Sequence, residues 1–333
     1  MTIKHFKNED YEIFFDPISG LEMLRGVNGK PDPFSLVLPS LLDIGIMGTC
    51  SNKCMFCYQG HTNKPNMKLD DFKLIIDEVK YHTNQVALGG RGDPNKHENF
   101  KEIIECCRLN EVVPNYTTSG INLTDEEIEI SKLCGAVAVS EYEQNHTYNA
   151  IDRFINAGIK TNIHLIFSYV SFDKIVRILS GNNIWKKGDE PSKVNIDKLN
   201  AVIFLLFKPQ GAGKSLSMFK PIPKQINKIS EIIFEPQCKF KVGMDSCLAN
   251  HIIPMVKPNP IIAATIDSCE GARMSGYISS DMKFMPCSFS DKEHWSVNIT
   301  AKNYIPKIWQ KSRKFKAFRK MLKRSPCSCP LGL

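Results

Sequence analysis

The stretch that most limits what this chain can become is Cys50-Ser-Asn-Lys-Cys54-Met-Phe-Cys57, followed by Tyr58. Its three thiols fall in a C-x-x-x-C-x-x-C spacing directly after an apolar run, Leu38 to Met47, that Gly48 closes. A short apolar run ended by glycine reads as a buried strand, so the thiols lie on the loop that leaves it. Three thiolates on one tight loop can hold three corners of a [4Fe–4S] cube, which takes soft cysteine ligands. The fourth iron is then open to another ligand. The competing readings are three buried thiols or three ligands of a zinc site. Zinc sites usually show paired C-x-x-C units with a second pair, or histidines, at a set distance.

The chain has 333 residues. That is room for one large α/β domain and a smaller one, at about 100–200 residues per domain. Its start is charged and lacks a long apolar core, so no secretory signal is expected. No apolar run approaches the ~20 residues of a membrane-spanning helix. Twelve cysteines in such a chain point to metal ligation and buried thiols in a reducing cytoplasm rather than to disulfides. The net charge is +8, with much of the excess between Lys302 and Arg324. Few aromatics interleave with those charges, so the stretch reads as a solvated basic helix and no nucleic-acid binding is expected.

Three segments follow from the order of patterns. Residues 1–37 hold two short runs, Tyr11-Glu-Ile-Phe-Phe and Leu21-Glu-Met-Leu-Arg, around Asp16-Pro-Ile-Ser-Gly20, which reads as an edge hairpin or lid. Across 38–215, strand and helix patterns alternate. Strands are expected at Gln85–Gly90, Val112–Thr118, Ala136–Ser140, Lys160–Ser168 and Ala201–Phe207, after the one before Cys50. Helices are expected at Leu69–Tyr81, Phe100–Leu109, Asp125–Leu133, Asn149–Ala157 and Phe172–Leu179. Thr124 and Glu127 form a capping box, and Gly158 closes a helix. Six such units predict an α/β fold, a partial (β/α)6 barrel of TIM type with a parallel sheet. Residues 181–198 read as a polar surface loop or substrate flap. Residues 216–333 form a small α+β C-terminal domain.

The cysteine spacing, with an aromatic before Cys57 and Tyr58 after it, resembles the signature of the radical S-adenosylmethionine (SAM) superfamily. The resemblance covers about residues 38–329. It implies a [4Fe–4S] cluster on Cys50, Cys54 and Cys57 whose open iron binds SAM. Cleavage of SAM by one electron then gives a 5′-deoxyadenosyl radical that abstracts hydrogen from a substrate. Other strand ends are similar to elements that hold SAM in the family. Gly89-Gly90-Arg-Gly-Asp93-Pro resembles the Gly-Gly-Glu-Pro element, with aspartate in place of glutamate and one residue more. Thr118 and Ser119 resemble the Thr-Asn-Gly-type turn. Ser140 and Glu141 are placed for the ribose or carboxylate. His164, beside Asn162 on the inner face of its strand, reads as a satisfied core histidine or as a contact to SAM or substrate. Lys208 and Gly211 match the Lys-Pro-x-Gly-Arg segment after the sixth strand.

Beyond residue 216 a second set of cysteines follows. Cys269 and Cys287 flank a hairpin, Gly276-Tyr-Ile-Ser and Lys283-Phe-Met-Pro, turning at Ser280-Asp281. This resembles the SPASM/twitch extension, which binds an auxiliary [4Fe–4S] cluster. The run ends at Cys327-Ser-Cys329-Pro, so one auxiliary cluster is implied. Cys269 and Cys287 are its first ligands, and Cys247, Cys327 and Cys329 are candidates for the others. Cys238 is the weakest candidate, and Cys106, Cys107 and Cys134 read as buried hydrophobes. The resemblance implies a peptide-modifying enzyme that makes a thioether, a carbon–carbon crosslink or an epimer. Its partners would be a peptide and an electron donor of flavodoxin or ferredoxin type. The rivals are small-molecule radical SAM chemistry of cyclase or dehydrogenase type, and a zinc-binding interaction module.

Overall fold

The computed structural model describes residues 3–142, 145–182, 194–195, 197–256, 259–260, 266–290 and 292–332. The strand before the thiol loop is β4, after a small N-terminal sheet of β1 (Lys4–Lys7), β2 (Tyr11–Phe15) and β3 (Glu22–Gly26). β4 spans Leu41–Met47, and its Leu42, Ile44 and Ile46 are fully buried. Alternate positions Asp43 and Gly45 therefore face the other side of the sheet. α1 (Leu69–Val79) covers the apolar face with Phe72, Ile75, Ile76 and Val79, a stripe at helical spacing.

The same unit then repeats. β5 is Gln85–Gly90, α2 Phe100–Leu109, β6 Val113–Thr118, α3 Asp125–Ser131 and β7 Val137–Ser140. α4 is Asn145–Asn156, β8 Thr161–Phe167, α5 Phe172–Leu179 and β9 Ala201–Leu206. Each strand from β4 to β9 pairs in parallel with the next. Crossover helices on one face require this arrangement. The capping box at Thr124 and Glu127 is formed on both sides. α4 starts four residues before the expected Asn149. Thr147 and Tyr148 are buried, and this packing extends the helix through residues whose own helix propensity is poor.

The sheet does not stop at six strands. After α6 (Pro223–Ile232), β10 (Lys241–Met244) pairs in parallel with β9. The chain then runs through α7 (Ser246–Val256) to the opposite edge, where β11 (Ser275–Ile278) pairs in parallel with β4. β12 (Lys283–Met285) and β13 (Val297–Asn298) add antiparallel strands beyond it. The ten-stranded order is β10-β9-β8-β7-β6-β5-β4-β11-β12-β13. β10 escaped the sequence reading because its Lys and Gly are poor strand formers, and pairing with β9 supplies the order.

Two C-terminal helices, α8 (Ile305–Lys311) and α9 (Arg313–Arg324), close the β11 side. Trp309 is fully buried against Phe284 and Phe315, and its indole N–H donates to the Leu36 carbonyl at 2.9 Å. Each such aromatic pair contributes ~0.5–1.5 kcal/mol beyond its buried area. The expected hairpin of residues 11–25 is present as β2 and β3, with β1 added at its side. Most of the polar stretch 181–198 lies outside the described residues.

Candidate active site

The loop from Cys50 to Gly60 leaves the carboxyl end of β4 and folds on itself. The Cys57 amide donates to the Cys54 carbonyl at 3.1 Å, and Gly60 donates to Cys57 at the same distance. Neighbouring strand ends clamp it. The Ala212 amide donates to the Cys57 carbonyl at 2.9 Å, and Arg91 Nη1 donates to the Gly60 carbonyl at 2.8 Å. Gly211, with φ +56°, lies so close that a Cβ would stand 2.4 Å from the Tyr58 carbonyl oxygen. Its close approach is thus to the thiol loop itself. The charges of Cys50 and Cys54, and of Cys54 and Cys57, reach one another. Tyr142 Oη lies 3.9 Å from Cys54 Sγ.

Burial raises the pKa of Cys50 and Cys54. Such thiols become thiolates when a bound metal offsets the lost hydration. Among the described residues no three thiols, imidazoles or carboxylates meet closely enough to hold a single metal ion. A zinc ion, with bonds of ~2.3 Å, would need its sulfurs nearly touching. A cube sets its thiolates further apart. Three soft donors spread along one short loop suit a cluster.

The strand ends place the other expected residues around this loop. Gly89 and Gly90 end β5. Gly90 holds φ +119°, and a Cβ there would stand 2.2 Å from the Met47 carbonyl oxygen, so glycine lets β5 pass against β4. Asp93 accepts from the Ser119 amide at 2.8 Å and from the Ser119 hydroxyl at 2.5 Å, and its charge reaches Cys50 and Cys54. Thr118 is buried and accepts from the Gly120 amide. Ser140 hydrogen-bonds Tyr142. Glu141 pairs with Lys174 at 2.9 Å and accepts from Tyr148. His164 lies 3.5 Å from Thr117 Oγ1, and burial depresses its pKa to about 4, with the Asp245 charge opposing. It is a neutral imidazole at physiological pH.

Lys208 is buried. Its ammonium pairs with Asp245 and sits 4.5 Å over the Phe289 ring. Asp245 also accepts from the Leu248 amide at 2.9 Å, capping α7 and setting Cys247 at that helix's first turn. Here the second thiol group assembles. The charges of Cys287 and Cys329 reach both Cys247 and Cys269, and Cys329 reaches Cys287. Burial pushes the Cys269 thiol up to about 12 and raises Cys247 and Cys287 as well. Asn250 on α7 holds the Cys269 amide at 3.1 Å, and Ser290 holds the Cys287 amide at 3.2 Å. Of the C-terminal thiols, the charge of Cys329 reaches the other three.

Around Tyr58 stands an aromatic and acidic core whose other members no sequence pattern singled out. Tyr58 packs on Phe289 at 4.7 Å. Asp43, on the inner face of β4, is pushed up to about 7 by burial and then by the Glu270 charge. Its own charge reaches Tyr58, Tyr277 and Cys287. A carboxylate inside the apolar run 38–47 was the available signal for Asp43. Phe289, Asp245, Tyr142 and Arg91 offered no pattern, since only the fold brings them to the thiols.

No family model matches the chain. It is 23% identical over 274 residues to sporulation killing factor maturation protein SkfB of Bacillus subtilis strain 168, covering 80% of this chain and 63% of that protein. The chain therefore spans just under two thirds of that relative's length. Among solved structures it is similar to Streptococcus suis SuiB bound to precursor peptide SuiA, with a TM-score of 0.64 at 14% identity over 86% of this chain and 67% of SuiB. It is also similar to anSMEcpe with bound AdoMet, with a TM-score of 0.61 at 15% identity over 85% of this chain and 83% of that one. At such identities the two structures establish the fold. This chain shares their fold, and the carboxyl edge of its parallel sheet carries the three-thiol loop.

Proposed function

We propose that this protein is a peptide-modifying radical SAM enzyme. The observation that carries the reading is the loop of Cys50, Cys54 and Cys57 at the carboxyl ends of the parallel strands, with a second group of four thiols behind it. When bound, the [4Fe–4S] cluster supplies one electron and SAM supplies the radical that takes a substrate hydrogen.

This chain's residues would prepare the site. Arg91, Ala212 and Gly211 hold the thiol loop in one shape. Gly89, Gly90, Asp93, Thr118, Ser119, Ser140, Glu141, His164 and Lys208 border the space where SAM would lie, and Tyr58 backs the loop. A neutral His164 can accept or donate a hydrogen bond without adding charge. Cys247, Cys269, Cys287 and Cys329 would hold the auxiliary [4Fe–4S] cluster. The peptide reading rests on the likeness to SkfB, a maturation protein, and on SuiB having been captured with a precursor peptide. The bond made would be a thioether, a carbon–carbon crosslink or an epimerised centre. An electron donor of flavodoxin or ferredoxin type would feed the first cluster. Among the described residues no helix is long and apolar enough to cross a membrane, and the many reduced thiols suit the cytoplasm.

The test is anaerobic reconstitution with iron and sulfide, then incubation with SAM, reductant and candidate precursor peptides. Release of 5′-deoxyadenosine together with a peptide mass change supports the reading. Zinc retained in place of iron, with no SAM cleavage, refutes it. SAM cleavage coupled only to a small molecule refutes the peptide part.

A further inference from the structure

The end of the chain carries the largest one-signed charge in the molecule. From Ser296 onward there are ten lysines and arginines and no aspartate or glutamate. α9 sorts them. Phe315, Phe318 and Leu322 are buried, so Lys316, Lys320 and Lys323 share an exposed face at i, i+4 and i+7. That face is not flat. With Arg319, and with Phe34 and Ser35 from the segment between β3 and β4, the three lysines wall a hollow of about 350 Å³.

The hollow is short of negative charge. No ion pair among the described residues joins Lys316, Arg319, Lys320 or Lys323 to a carboxylate. Arg319 donates from Nε to the Ala272 carbonyl at 2.5 Å and from Nη1 to the Trp309 carbonyl at 2.7 Å, while its buried Nη2 has no partner. A buried guanidinium N–H without an acceptor is an unmet demand for an oxygen. Four cations around one concavity repel one another and focus a positive potential into it. Arg319, one wall of the hollow, donates to Ala272 on the loop that follows Cys269, where Arg273 Nη1 donates to the Cys269 carbonyl at 3.2 Å.

We propose that this hollow docks carboxylate side chains from an acid-rich segment of the peptide that the enzyme modifies. The proposal rests on the peptide-substrate reading and adds to it where the peptide is held. A nucleic acid fits less well. The one aromatic in the wall, Phe34, lies between the Arg273 guanidinium at 4.6 Å and the Lys323 ammonium at 4.9 Å, so cations occupy the ring that a base would stack on. Docking here places the segment between α9 and the segment that precedes β4.

The experiment uses the reconstituted full-length protein and a short fluorescein-labelled Glu/Gly peptide. A Gln/Gly peptide and a labelled single-stranded RNA of the same length are run beside it, with the Lys316→Glu/Lys320→Glu/Lys323→Glu variant. The Glu/Gly peptide should bind, weaken with salt, and lose about ten-fold or more in affinity in the variant, as three reversed exposed charges imply. Equal binding of the Gln/Gly peptide, tighter binding of the RNA, or unchanged affinity in the variant overturns the proposal. Iron content and peptide-independent 5′-deoxyadenosine release should match wild type, which separates this outcome from failure of the radical SAM reading. Should the triple variant not fold, Lys320→Glu alone decides: a two- to three-fold loss (about 0.5 kcal/mol) supports docking, and no loss overturns it.

Discussion

The two thiol groups are built in opposite ways. Cys50, Cys54 and Cys57 lie within eight residues on one loop, and backbone hydrogen bonds inside that loop shape it. Cys247, Cys269, Cys287 and Cys329 come from four places: the first turn of α7, the loop before β11, the segment just after β12 and the segment after α9. They approach one another only because the chain adds β10 to one edge of the sheet and β11 to the other. Local spacing makes the first group cheap to order, since closing a short loop loses little entropy. The second depends on the whole fold being in place.

The largest effect should come from the local group. Cys54→Ala should reduce 5′-deoxyadenosine release to background, whatever peptide is present. Any retained turnover breaks the assignment of that loop. Next, Cys269→Ala and Cys329→Ala should each lose about half of the reconstituted iron, one cube of two, and keep SAM cleavage. Cys327→Ala should leave the iron content unchanged. Equal losses in the Cys327 and Cys329 variants would erase the distinction between the two terminal thiols.

A smaller effect is expected at Gly211, where the strand ends clamp the first loop. Gly211→Ala adds a Cβ 2.4 Å from the Tyr58 oxygen at a positive φ, costing ~1–3 kcal/mol. The urea midpoint should fall, and iron should be lost from the first group ahead of the second. Loss from the second group first would mean that the clamp is not where the structure puts it.

The effect confined to one pH range is a titration between the two groups. Asp43 titrates at about 7 in the fold because of burial and the Glu270 charge, against ~3.9 in an unfolded chain. The unfolded chain therefore releases the proton first as pH rises. Stability falls from about pH 4 to about pH 7 and levels off above that. Asp43→Asn removes this loss. Its melting temperature should exceed wild type at pH 8, by about 2–4 °C per kcal/mol relieved, and converge with wild type near pH 4. A variant less stable than wild type at pH 8 would show that the carboxylate is held by a favourable partner.

The strand–helix alternation was readable because buried strands and one-sided helices leave periodic patterns. β8 shows this, with Thr161, Ile163, Leu165 and Phe167 buried and Asn162 and His164 on the other face. The capping box at Thr124 and the turn at Asp281 were readable for the same local reason. β1 and β10 were not, because neither has a pattern of its own and each is ordered by its neighbour. The basic stretch of α9 read as a solvated face. Its hollow exists only because Phe34 and Ser35, nearly three hundred residues earlier in the chain, form the opposite wall.

By itself the sequence determined the three-thiol loop, the strand in front of it and the run of alternating units, since each is a matter of spacing within a few residues. Only the tertiary structure brought Cys247 and Cys329 toward Cys269 and Cys287 and set what stands beside them. Those contacts join residues far apart in the chain. They form when the sheet takes up strands at both edges, and side-chain spacing along the chain carries no record of that closure.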